Sequence, residues 1–147
     1  MQKEPDMHIL HNIEKKEKNT MKTITTNLTN EEIYQIALGL NNNFSNNETY
    51  FPALVSFAIQ KNKALLLSLA EEVDSGRNNI IKHYGKEQEN GSYLILEENI
   101  ELANKELNDL LKISQEVKLF VFDIEALNDI KLTNQEMQAL LFMIDAE

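Results

Sequence analysis

Residues 52–85, PALVSFAIQKNKALLLSLAEEVDSGRNNIIKHYG, decide the fold. Pro52 stands where a first helical turn tolerates proline, and no proline follows it in the stretch. Leu54, Phe57, Ala58, Leu65, Leu69, Val73, Ile80 and Tyr84 recur at three- and four-residue steps. That period predicts one helix from Ala53 to about Tyr84, with this stripe against the core. Gly76 falls on the stripe, where glycine costs about 1 kcal/mol relative to alanine. Close approach of a second helix is its expected role, and a kink is the alternative. Gly85 is placed to end the helix as a left-handed cap.

Upstream, Leu28-Thr29-Asn30-Glu31-Glu32-Ile33 reads as a capping box. Thr29 accepts from the amide three residues on, Glu32 reaches back, and Leu28 and Ile33 form a hydrophobic staple. Ile33, Ile36, Ala37 and Leu40 make one apolar face, ending in the Asn-rich run 41–47. The same start recurs as Leu132-Thr133-Asn134-Gln135-Glu136-Met137, followed by the stripe Met137, Leu140, Leu141 and Ile144. The match stops after the cap, so no duplicated domain is implied.

Downstream, Asn90-Gly91 is a strong turn signal, and Ser92 to Leu96 reads as a short strand. Asn99 to about Ser114 is helical by the spacing of Ile100, Ala103, Leu107, Leu110 and Leu111. Two amphipathic segments joined by a short connection should pack antiparallel. Val117 to Phe122 is β-branched and aromatic, so it reads as a strand, with Ser92–Leu96 as its expected partner. The expected class is therefore mainly α (α+β): an antiparallel long-helix hairpin with short flanking helices and a small two-stranded β element. Residues 1–27 are expected to be a flexible N-terminal tail, and 28–147 a single helical domain.

The 147 residues suit one domain able to bury a core without staples. The chain has no cysteine, which excludes disulfides, thiolate metal sites and cysteine nucleophiles. No apolar run approaches the roughly 18 residues needed to span a bilayer, and the start has no signal-type apolar core. The formal charge is −10, and it is unevenly placed. Residues 1–85 carry 9 basic and 10 acidic side chains, whereas 86–147 carry 5 and 14. Such a surface repels phosphate backbones, so direct nucleic-acid binding is disfavoured, and it attracts a basic partner. Plain solubility is the competing explanation for any one acidic face.

No catalytic or cofactor-binding residues are expected. His8 and His11 have a metal-compatible spacing but no third ligand of matching placement. His83 suits a helix C-terminus, where the dipole favours a cation. The carboxylate neighbours Glu71/Glu72, Glu97/Glu98 and Asp123/Glu125 lack the paired cleft geometry a hydrolase needs. The four glycines are scattered singly, so there is no phosphate-binding loop. The candidate partner-binding residues are Glu97, Glu98, Glu101, Asp123, Glu125 and Asp129, with Phe44 and Tyr50 beside the Asn-rich loop as aromatic anchors; a core role for these aromatics, closing the end of the helical hairpin, is the equal alternative.

Phe51 to Asn62, Ile80-Ile81-Lys82-His83-Tyr84-Gly85, Asn104 to Leu111 and the closing Leu132 to Ile144 segment carry a resemblance through their order. Over roughly residues 28–146 the chain resembles a family of small phage and prophage proteins of low-GC bacteria, domain of unknown function 1617. The first 20 residues lie outside it, as an extension or a misplaced start. The resemblance implies a small helical accessory protein of phage origin and transfers no catalytic residues. The expected function is non-catalytic protein–protein binding in the host cytoplasm, with inhibition of a host defence protein through the acidic surface. The alternative is a virion or tail-assembly component, or its chaperone, since long helical hairpins readily form homo-oligomers. Neither a membrane nor a cofactor is expected to take part.

Overall fold

The computed structural model describes residues 21–45 and 49–145. Strand β1 (Lys22–Thr29) leads into helix α1 (Asn30–Phe44), and helix α2 (Ala53–Tyr84) follows. Strands β2 (Gly85–Glu87) and β3 (Tyr93–Ile95) form a hairpin, then a 3-10 turn over Glu97–Asn99 opens helix α3 (Ile100–Lys112). Strand β4 (Ser114–Asp123), helix α4 (Asn134–Leu140) and strand β5 (Ile144–Asp145) complete the order. The described chain is mainly helical with two small sheets, one ordered β1-β4-β5 and one β2-β3. Among the described residues no helix is long and apolar enough to cross a membrane.

The long helix runs over the expected residues, but its buried line is shifted by one position. Val55, Ala58, Ile59, Asn62, Leu66, Ala70 and Val73 are buried, while Phe57 of the expected stripe is half exposed. Asn62 sits in the middle of that line and hides it from an apolar-periodicity search. Its amide is fully buried and fully used. Nδ2 donates to the Phe120 carbonyl at 2.8 Å, and Oδ1 accepts the Phe120 amide at 2.9 Å. A helix side chain thus stands in for a neighbouring strand along β4.

α1 lies antiparallel to α2. The Arg77 guanidinium stacks on the Tyr34 ring near one end, and Lys63 donates to the Phe44 carbonyl near the other. α3 returns along the distal turns of α2, where Tyr84 hydrogen-bonds Glu106 and Leu110 meets Gly76. A Cβ at Gly76 would stand 3.3 Å from the Leu110 methyls, so the close-approach role of this glycine holds. Gly85 is a correction: its backbone is extended (φ −111°), not left-handed. Glycine is needed there because a Cβ would lie 2.6 Å from the Ile81 carbonyl oxygen. The turn at Asn90-Gly91 stands as read, with Gly91 at φ +86°.

The strands depart most from expectation. β4 does not pair with 92–96. It pairs antiparallel with β1, Lys22 opposite Val121 through to Thr29 opposite Ser114, and parallel with β5. Tyr93–Ile95 pairs instead with Gly85–Glu87. Residues 22–27 therefore belong to the sheet and not to a tail, whereas residues 1–20 lie outside the described residues, His8 and His11 with them. The physical reason is non-local pairing: β1 has only Ile24 and Leu28 as apolar residues, and β4 supplies the core face through Val117, Leu119 and Val121. α4 also stops early, at Leu140, and Leu141 turns outward while Met143 takes the buried place.

The core gathers α1, the first half of α2, β4 and the C-terminal turns. Beyond Val73 the molecule thins into a tip. α3 buries a single residue completely, Ala103. An alanine contributes far less than the roughly 1.5–3 kcal/mol of a buried leucine or valine.

Candidate interaction surface

The tip is where apolar groups and carboxylates come to the surface together. Within residues 94–102, Leu94 is 63%, Leu96 37%, Ile100 44% and Leu102 54% exposed. Glu97, Glu98 and Glu101 are interleaved with them and exposed. Among the described residues these three glutamates enter no ion pair. Their backbone is held firmly: the Leu96 amide and the Asn99 side chain both donate to the Tyr84 carbonyl, closing the end of α2. The Tyr84 hydroxyl bonds to Glu106, and that bond with its charge, aided by desolvation, raises the tyrosine pKa above 10.0. Lys82, over the Tyr93 ring at 5.9 Å, is a cation at the same tip.

The second group of expected acids lies elsewhere. Phe120 is fixed to Asn62 and Glu97 adjoins Tyr84, so the two groups are separated by 22 residues of α2, about 33 Å at 1.5 Å per residue. The candidate acids therefore fall at two separate sites. At the second, Lys22 bridges Asp123 at 3.3 Å and Asp145 at 3.4 Å. The hydrogen bond to Asp123, its charge and the bond to Asp145 hold the ammonium above its ordinary 10.5. This partly neutralises the site. Glu125 is exposed on the 3-10 turn Ile124–Leu127. Asp129 adopts φ +68°, the left-handed region that aspartate enters more readily than most residues.

The aromatic anchors divide. Phe44 takes the core alternative and not the anchor role: it is 5% exposed and packs edge-to-face on Phe51 at 5.7 Å. Its helical phase, four residues after Leu40, carried that signal. Tyr50 is 80% exposed and stays available. Sequence reasoning passed over Leu94, Leu96 and Leu102, because a short β-segment and a helix start gave no reason to leave them uncovered.

Between α1 and α4 lies an open groove of about 710 Å3, lined by Gln35, Ile36, Asn42, Gln138, Phe142 and their neighbours. None of its lining residues is titratable, so it presents no acid, base or nucleophile. Among the described residues no three or more histidine, cysteine or carboxylate side chains are grouped so that they could hold a metal ion. Comparison of the chain with protein-family models, with curated proteins and with solved structures finds no match.

Proposed function

We propose that this chain is a non-catalytic binding protein, a phage-encoded accessory protein whose tip docks a basic, partly apolar segment of a host protein. One observation carries this: four exposed aliphatic side chains and three exposed glutamates, which enter no ion pair among the described residues, share nine consecutive residues on a well-anchored backbone. Exposed apolar groups supply area, and the carboxylates steer and select a cationic partner. Inhibition of a host defence protein that handles nucleic acid is the specific form, because carboxylates can occupy a site shaped for phosphates. The antiparallel packing of α2 and α3 would serve as the stalk that presents the tip.

The test compares affinity capture from host lysate by the native chain and by the triple variant Glu97→Lys, Glu98→Lys, Glu101→Lys. A basic protein retained by the first, lost by the second and released as salt rises is the expected result. Equal capture by both chains, or capture indifferent to salt, removes the proposal. The second reading, a virion or tail-assembly role, draws support from the open sheet edge at β1. Mass spectrometry of purified particles separates the two.

A further inference from the structure

The three-stranded sheet has two unlike edges. Beyond β4 the backbone is sealed twice, by the Asn62 amide at Phe120 and by β5 at Phe122. On the other side β1 is the last strand, eight residues long. The hydrogen-bond alternation fixes which of its groups are open. Phe120 spends both backbone groups on Asn62, so its opposite number Thr23 cannot bond to it. In an antiparallel ladder the pattern repeats every second residue. The amides and carbonyls of Thr23, Thr25 and Asn27 therefore point away from β4, and no backbone partner meets them among the described residues.

Native edges are usually blunted by proline, by an inward charge, by a bulge or by a covering element. From Thr23 to Thr29 there is no proline, no charge and no bulge, the register with β4 is unbroken, and among the described residues no further strand pairs with β1. On the core-facing side Ile24 remains 42% exposed, although Leu119 opposite it is buried. Among the described residues the edge has no further strand, and Ile24 is left open beside it.

We infer that a second copy of this chain supplies that strand, β1 pairing antiparallel with β1 about a two-fold axis through Thr25. Self-pairing fits the chemistry in three ways. With Thr25 opposite the second copy's Thr25, Thr23 faces Asn27, and all three open positions on each copy are bonded. Ile24 then lies beside the second copy's Thr26 on the same face and is covered. No carboxylate occurs between Glu17 and Glu31, so the paired strands bring no acids together although the whole chain carries −10. Distant repulsion between two such copies is screened by salt. Added salt therefore strengthens this association, the opposite of its effect on a basic partner at the tip.

Sedimentation of the full chain from about 1 to 300 μM reads the equilibrium. The expected mass rises from 16.9 kDa to twice that, and rises earlier at higher salt. Thr25→Pro removes an outward amide that β4 does not use, so it should stay folded and remain a single chain throughout. Thr26→Pro removes an amide bonded to β4 and should unfold instead. Amide exchange of the native chain covers the case in which both variants unfold. Exchange at Thr23, Thr25 and Asn27 should slow at least tenfold between the dilute and concentrated ends. A single chain at every concentration overturns the inference. So does a Thr25→Pro chain that pairs like the native one, or exchange at those three amides that ignores concentration.

Discussion

Leu28-Thr29-Asn30-Glu31-Glu32-Ile33 and Leu132-Thr133-Asn134-Gln135-Glu136-Met137 begin two helices with nearly the same letters and the same local bonds. In each the threonine oxygen accepts the amide three residues on, at 3.1 and 3.0 Å, and the glutamate accepts the threonine amide at 2.9 Å. Their surroundings then assign different work to different members. In the first, Asn30 is buried: its Nδ2 donates to the Leu110 carbonyl, its Oδ1 accepts from Gln115, and its amide donates to the Ile113 carbonyl. One helix start thus caps the end of α3. In the second, Asn134 is exposed and Glu136 is the buried member, with the Thr49 hydroxyl donating to its second oxygen. A local motif guarantees its local bonds, and which of its side chains stabilises the tertiary structure is decided elsewhere in the chain.

Asn30→Ala and Asn134→Ala test this most sharply. The first leaves the Gln115 amide without its acceptor and the Leu110 carbonyl with the Ile113 amide alone, and should cost about 1–2 kcal/mol in urea unfolding. The second should stay within about 0.5 kcal/mol, as surface substitutions usually do. Equal losses would mean the two boxes are equivalent after all. Of comparable size, Thr133→Ala should cost about 1–2 kcal/mol and Thr29→Ala about 1 kcal/mol or less, because the glutamate of the second box is the buried one. The order of the two midpoints is the reading, and a reversal breaks the comparison. Converting the second box into the first with Gln135→Glu and Met137→Ile should change stability by less than about 1.5 kcal/mol, since volume is nearly conserved.

The smallest effect lies at the far end of β1 from its capping box. The Lys22 pKa is raised in the fold, so its ion pairs stabilise fully below 10.5 and are lost as pH climbs through the raised value. Alkaline melts of the native chain and Lys22→Met should differ near neutrality and converge above that range. A gap that persists at the highest pH points to packing by the lysine stem instead.

Both boxes, the extent of α2 and the Asn90-Gly91 turn are legible because each is a short-range rule: a cap, a period, a dipeptide. β1 is illegible for the opposite reason. Lys22–Thr29 has four threonines and two aliphatics, and only Ser114–Asp123 makes it a strand. Asn62 hides in the same way, since an amide on a buried helical line looks like a surface residue until Phe120 is placed beside it. At the tip, the glutamates were readable from charge. Their aliphatic neighbours were not, because periodicity marks which residues are apolar and says nothing about whether a partner element arrives to cover them.

α2 spans 32 residues, about 48 Å as a continuous rod. One end is clamped among buried side chains and the other stands out beside a helix that buries one alanine. Weak attachment at one end of a stiff beam gives a cantilever: a load applied at Glu97 is delivered as torque to the buried line that begins at Val73 and runs back to Val55.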